Sequence, residues 1–193
     1  MDEMYHTALK SKFDTKDVAV STRVSGDGYV FLQSDLMVDG IPDEVADCDV
    51  IYGEPPWPHG FKVFNDRAEV SDRRTYQEFA DVLGSEIKRI RKPFYMTLGK
   101  TLMRMLPSHS GSFPVKLNGA DAFMVWWFDK YDGPHDTNIS VCKALGARYR
   151  SMGDWCCGYA TPLLTFNEGG GKHIVGADYD GKCITVCGER MSR

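Results

Sequence analysis

Nothing in the 193 residues approaches the run of about 20 apolar residues that spans a bilayer. The stretch Ala122 to Phe128 falls far short. Met1 to Lys10 mix acids with polar groups and lack the apolar core of a signal peptide. These two absences make the inside of a cell the default expectation, with no membrane partner. An excess of basic charge is also missing. Lysine and arginine total 23 against 27 aspartates and glutamates, for a net charge of −4, so no global field advertises a nucleic acid. Local basic groups remain at Arg73-Arg74, Lys88 to Lys92, and Lys100 with Arg104, although each also fits a solvated face. There are no internal repeats and no low-complexity segments. The six cysteines lack a zinc-like arrangement: Cys156 and Cys157 are adjacent, which suits chelation poorly, and Cys183 and Cys187 stand apart from them. Reduced, mostly buried thiols are expected alongside Cys48 and Cys142, and no metal.

What is present is ordinary for a globular protein: 42% hydrophobic and 26% charged residues in a length that suits one domain, 1–193. Residues 1–27 carry scattered charges and read as an extended or partly ordered segment, closed by the turn Ser25-Gly26-Asp27-Gly28. Tyr29 to Gln33 is β-branched and aromatic and reads as a strand ending at Ser34-Asp35. A polar connection, 39–47, leads to a short apolar strand at Val50 to Tyr52. Residues 58–70 show no helical or strand periodicity and read as a loop. Thr75-x-x-Glu78 is a capping box, and Tyr76, Phe79, Ala80, Leu83, Ile87 and Ile90 then follow helical spacing up to Pro93. Phe94 to Leu98 is the next strand, and Leu102, Met103 and Leu106 mark a short helix. Residues 108–114 read as a turn region before strands 115–117 and 122–128. Trp126 and Trp127, as neighbours on a strand, point to opposite faces and are expected in the core.

A helix over 136–147 is expected to be capped by Asp136 or Asn138 and buried through Ile139, Cys142 and Leu145. A second, 161–168, holds Pro162 in its first turn and ends at Gly169-Gly170-Gly171. Strand 174–177 and a helix over 181–190 complete the alternation of strands and helices. That alternation predicts an α/β sandwich with a largely parallel sheet.

The chemistry concentrates where the strand at Val50 breaks into Glu54-Pro55-Pro56-Trp57. An acid accepts a hydrogen bond from an amino group. The carbonyl before Pro56 has no ladder partner, and Trp57 offers a flat face for a planar base. Glu54-Pro55-Pro56-Trp57 resembles the Asp-Pro-Pro-aromatic signature of the S-adenosylmethionine-dependent amino-methyltransferases that act on nucleic acid. Asp154-Trp155-Cys156-Cys157-Gly158-Tyr159-Ala160-Thr161 resembles the same family's cofactor loop, commonly Asp-Pro-Phe-x-Gly-x-Gly-Thr. Ile174 to Asp180 follows at a family-like distance as a strand ending in an acid. The Glu-Pro-Pro-Trp strand precedes the cofactor loop, an order similar to that of the circularly permuted β group of DNA amino-methyltransferases.

The resemblance implies a Rossmann-like methyltransferase three-layer sandwich with both motifs at the strand C-terminal ends. It implies S-adenosylmethionine as cofactor, S-adenosylhomocysteine as product, and N6 of adenine in DNA as acceptor. RNA adenine, cytosine N4, or a non-catalytic binding role are the alternatives. Glu54, Pro55, Pro56 and Trp57 would be catalytic. Asp35, Asp154, Cys156, Cys157, Gly158, Thr161, Asp178 and Tyr179 would hold the cofactor, with Asp178 on the ribose hydroxyls and Asp154 on the loop or the methionine amino group. Lys62, Arg73, Arg74 and Lys100 would meet DNA. His59 is expected to be a surface histidine. The small size is similar to that of phage and prophage forms, which points to bacterial or phage-infected cytoplasm; self-protection against restriction and regulation of transcription are equally open. Two positions depart from the pattern: Glu54 is one methylene longer than the usual Asp, Asn or Ser, and Ala160 replaces a second glycine. A chain fully used by the core leaves target recognition to loops 58–74 and 107–114, or to a homodimer or partner subunit.

Overall fold

The computed structural model describes residues 22–67, 74–117 and 119–192, with side chains given outside 63–67. Eight strands form one sheet: β1 (Arg23–Gly26), β2 (Tyr29–Gln33), β3 (Val50–Gly53), β4 (Phe94–Leu98), β5 (Gly111–Leu117), β6 (Ala120–Trp127), β7 (Ser151–Asp154) and β8 (His173–Asp178). Their order across the sheet is β1-β2-β8-β7-β3-β4-β6-β5. Strands β2, β8, β7, β3 and β4 run parallel, while β1, β6 and β5 add antiparallel edges. Eight helices are described: α1 (Leu36–Asp39), α2 (Asp43–Ala46), α3 (Pro58–Arg67), α4 (Tyr76–Ile90), α5 (Lys100–Met105), α6 (Asn138–Arg148), α7 (Thr161–Glu168) and α8 (Gly181–Met191).

Strand alternation splits the core into two layers. Ile51, Phe94, Met96, Leu98, Trp127 and Val175 pack with residues of α1 to α5 on one face. Val50, Tyr52, Tyr95, Trp126, Met152 and Ile174 pack with residues of α6 to α8 on the other. Trp126 and Trp127 divide between the faces as a period of two requires. The result is the expected three-layer α/β sandwich, and burial of these large side chains, at about 1.5–3 kcal/mol each, is its main driving term. The cysteines are free thiols, buried except for half-buried Cys156.

Several expected boundaries move. Residues 58–67 form helix α3 rather than a loop: Pro58 occupies the first helical position, and the Trp57 carbonyl accepts from Gly60 N and Phe61 N at 2.9 Å. Phe61 secures the helix by meeting Tyr76 and Phe79 edge-on or tilted. The polar connection 39–47 carries two single-turn helices, α1 and α2. Strand β5 starts at Gly111, inside the expected turn region, because an edge strand tolerates Pro114. Trp126 leaves no space for a side chain at Gly111: an added Cβ would stand 2.2 Å from its indole. Part of the extended N-terminal segment is strand β1, joined to β2 through Asp27-Gly28; residues 1–21 lie outside the described residues.

Helix α6 is capped by Thr137 in a capping box with Ser140, rather than by Asp136 or Asn138, and Ile139 is 41% exposed instead of buried. Helix α4 has the expected Thr75–Glu78 capping box. Thr75→Ala, which removes one reciprocal cap, is expected to lower stability by about 1 kcal/mol, read as a fall in the denaturant midpoint at unchanged slope.

Candidate functional site

The sheet order changes direction between β3 and β7. From β3 the chain moves to β4 on one side; from β7 it moves to β8 on the other. In open α/β sheets such a switch point opens a crevice at the strand C-terminal ends. Glu54-Pro55-Pro56-Trp57 leaves β3 there and the 154–161 loop leaves β7, with Tyr52 paired to Asp154 in register. The two motifs, separated by about a hundred residues in sequence, are neighbours in space.

They are also bonded. Glu54 N donates to Cys156 Sγ at 3.0 Å. Trp155 packs so closely on the end of β3 that a Cβ at Gly53 would lie 2.4 Å from its Nε1. Asp154, fully buried, accepts from Cys156 N at 3.1 Å and so shapes its own loop. Burial pushes the Asp154 carboxyl well above the usual range, and the charges of Glu54 and Asp178 add to the rise. Gly158 sits at φ +49° with open space where a side chain would project. Its N–H donates to Asp178 Oδ2 at 2.9 Å, while Asp180 N donates to Oδ1 at 3.0 Å. Cys157 N is held by the Ala177 carbonyl at 2.9 Å, and Cys187 Sγ donates to the Gly158 carbonyl at 3.2 Å. Ala160, in place of the second glycine, nevertheless takes φ +60°, a left-handed conformation that costs a non-glycine residue about 1–2 kcal/mol. Arg190 bonds the Tyr159 carbonyl and reaches Thr161 Oγ1 at 3.3 Å.

On the other motif, Glu54 Oε1 accepts from Tyr52 Oη at 2.7 Å and from Asn138 Nδ2 at 2.6 Å. Tyr52 Oη also bonds Thr97 Oγ1 at 2.8 Å. Oε2 receives no hydrogen bond among the described residues. Burial pushes the Glu54 carboxyl above its ordinary value, and the Tyr52 and Asn138 donors pull it back. The Pro56 carbonyl accepts from Tyr76 Oη at 3.0 Å, which staples the two-proline segment to α4. The Pro55 carbonyl receives no donor among the described residues. Trp57 is half-buried over Gly99, with His59 edge-on at 5.9 Å, and His59 is exposed as expected.

Asp35 caps α1 and is ion-paired to Arg74, both oxygens at 2.8 Å from Nη1. Arg74 is therefore committed to a protein carboxylate. Tyr179 accepts from Gln33 Nε2 through its carbonyl at 2.9 Å, which ties the ends of β2 and β8. Lys62 and Lys100 are exposed, Lys100 directly after Gly99 and so beside Trp57; Arg73 lies outside the described residues. Sequence reasoning missed Tyr52, Thr97, Asn138 and Tyr76. Tyr52 was recoverable, because residues two apart on a strand share a face. Asn138 was not, because it lies 84 residues from Glu54 and reaches it only through the fold. No group of three or more histidine, cysteine or acidic side chains among the described residues is arranged to hold a metal. No described helix is long and apolar enough to cross a membrane.

No protein-family model and no curated protein sequence matches the chain. Solved structures do. M1.HpyAVI in complex with SAM superposes with a TM-score of 0.54 at 8% identity, over 86% of this chain and 100% of that one. M1.HpyAVI alone gives 0.53 at 9% identity over 83% and 97%. TTHA0409 of Thermus thermophilus, assigned as a DNA modification methylase, gives 0.51 at 11% identity over 77% and 87%. At these identities the likeness establishes the fold: a Rossmann-like methyltransferase sandwich.

Proposed function

We propose that this chain transfers a methyl group from S-adenosylmethionine to the exocyclic N6 of adenine in DNA. The observation that carries the reading is the junction of the two motifs at the sheet's switch point: an acid with one unpaired oxygen beside an indole, bonded directly to a loop with an open glycine. The fold shared with M1.HpyAVI, itself solved with SAM, supports the cofactor and the nucleic-acid substrate.

The cradle fits the cofactor on its own chemistry. A backbone forced to positive φ at Gly158, with open space beyond it, lets a ligand approach the chain closely. Asp178 holds that loop, and its position at the end of β8 suits the ribose hydroxyls. Cys156, Cys157, Thr161, Tyr179, Asp154 and Asp35 stand on the same rim of the sheet. Bound there, S-adenosylmethionine supplies an electrophilic methyl group on a positively charged sulfur. The chain's own residues act on the acceptor. Glu54 Oε2 and the Pro55 carbonyl accept the two amino hydrogens, which draws the nitrogen towards a tetrahedral geometry and localises its lone pair. Trp57 stacks the flipped base, and alignment of the two reactants supplies most of the rate. Lys62 and Lys100 are the exposed cations placed to meet the phosphate backbone, while Arg74 serves the fold through Asp35. With the region after Trp57 folded as α3, sequence recognition falls to that helix, to the turn before β5, or to a second subunit.

Gly158→Ala is expected to fold with a loss of about 1 kcal/mol from its left-handed backbone and to bind S-adenosylmethionine at least about tenfold more weakly, measured by calorimetry. The reading itself is tested with methyl-labelled S-adenosylmethionine on duplex DNA, single-stranded DNA and RNA. Label in DNA supports it, and label confined to RNA moves the substrate to the other polymer. No label despite cofactor binding makes the chain a non-catalytic binding protein.

A further inference from the structure

Glu54 is a longer acid than a two-proline turn of this kind needs to reach its substrate. Its extra methylene carries Oε1 into a pair of donors: Tyr52 Oη at 2.7 Å and Asn138 Nδ2 at 2.6 Å. Because Tyr52 spends its proton on Glu54, Thr97 Oγ1 must donate to Tyr52, which gives a chain of hydrogen bonds running Thr97, Tyr52, Glu54. Tyr52 and Thr97 are completely buried on β3 and β4, and Asn138 is the first residue of α6, held in place by the Thr137 cap. The clamp is therefore built on three different elements, all fixed by the core.

We propose that Tyr52 and Asn138 are positioning residues that pin one oxygen of Glu54 and reserve the other for a donor amino group, so that only a carboxylate can serve at position 54. This rests on the methyltransferase reading given above. Oε1 faces two donors and must accept. Oε2 faces the acceptor base, whose amino group donates, and must accept as well. A carboxylate accepts at both ends; a glutamine amide accepts at one and donates at the other. Glu54→Gln would turn its oxygen to Tyr52 and Asn138 and present its NH2 to the amino group, donor against donor. The site thus demands an ionised acid in a place where burial opposes ionisation, and the two donors offset that opposition. The other titratable groups facing Glu54 are Asp154 and Cys156 of the cofactor loop and Cys142 of α6; their burial pushes all three upward towards the neutral form, which limits the repulsion.

The test is a carbon-13 NMR titration of the full chain labelled at the glutamate carboxyls, with the Glu54 signal assigned by its loss in Glu54→Gln. Removing a donor stabilises the protonated form, so Asn138→Ala is expected to move the Glu54 midpoint to higher pH, and Tyr52→Phe to do the same. Where Tyr52→Phe disturbs the core, half-buried Asn138 carries the measurement. Methyl transfer by Asn138→Ala is expected to fall about 10- to 100-fold at fixed pH, as loss of a hydrogen bond to a charged group implies, with the acid limb of kcat/KM shifted in the same direction as the midpoint. Glu54→Gln should bind S-adenosylmethionine and transfer nothing. An unmoved midpoint in Asn138→Ala, or full transfer by Glu54→Gln, overturns the clamp while leaving the methyltransferase reading intact. A midpoint that moves in a protein that methylates no nucleic acid upholds the pinning of Oε1, overturns the role given to Oε2, and removes the methyltransferase reading instead.

Discussion

Glu54→Asp is expected to lower methyl transfer about 100-fold, although aspartate is the commoner residue in turns of this pattern. Shortening the side chain by one methylene withdraws the carboxylate about a bond length from Tyr52 Oη and Asn138 Nδ2, which now stand 2.7 and 2.6 Å from Oε1. The aspartate then either loses both donors or strains the turn to keep them. A misplacement of order 1 Å at a reacting group costs about 100-fold. Single-turnover methyl transfer with saturating cofactor measures the effect without interference from product release. Cofactor affinity should change little, because the 154–161 loop is held by Asp154, Asp178 and Cys187 rather than by the Glu54 carboxylate. A large rise in turnover would mean that Glu54 is a degraded catalyst and that the clamp has no bearing on the reaction.

The second large effect is on stability. Helix α6 lies backbone to backbone on the end of α7. A Cβ at Gly146 would stand 2.0 Å from the Phe166 carbonyl oxygen, and one at Gly169 would stand 2.1 Å from that of Lys143. Neither contact can be relieved by rotating a side chain. Gly146→Ala is expected to cost about 3 kcal/mol, even after the better helix propensity of alanine is counted. For a chain of this size that is a fall in Tm of roughly 10 °C. Gly84→Ala in α4 is the control, because there the nearest atom is Cδ of the Pro107 ring at 3.3 Å. Its cost should be within about 1 kcal/mol. Equal losses from the two substitutions would show that the close approach of α6 to α7 is absent. Since α6 also carries Asn138, a shifted α6 in Gly146→Ala should reduce methyl transfer by more than the loss of folded protein explains.

These predictions draw on parts of the molecule that differ in how openly the sequence declares them. Strands β2, β4 and β8 and helices α4 and α7 announce themselves through β-branched runs, a capping box and terminal glycines, since local chemistry and tertiary burial agree there. The order of the two motifs already implied a permuted sheet, and the strand order β2-β8-β7-β3-β4 places both at one switch point. Helix α3 was hidden because Pro58, His59 and Gly60 look like a loop, and only Pro58's use as the first helical residue makes them a helix start. Strand β5 was hidden in part because Gly111 and Pro114 are poor strand formers, tolerated at an edge and under Trp126. The catalytic candidates were legible as a local motif; the groups that hold them were not. Asn138 reaches Glu54 from another helix and Tyr76 reaches the Pro56 carbonyl from α4, and such contacts exist only once the core has fixed both elements. Arg74, taken for a phosphate contact, belongs to Asp35 for the same reason.

The central claim is amino-methylation of a nucleic-acid base at the junction of Glu54 and the Gly158 loop. The most direct measurement is digestion of DNA after incubation with the protein and S-adenosylmethionine, followed by mass-spectrometric identification of the modified nucleoside. The account predicts N6-methyladenine from the wild-type chain and none from Glu54→Ala at equal cofactor occupancy. N4-methylcytosine would contradict the choice of base, and the same yield of methylated nucleoside from Glu54→Ala would contradict the assignment of the site.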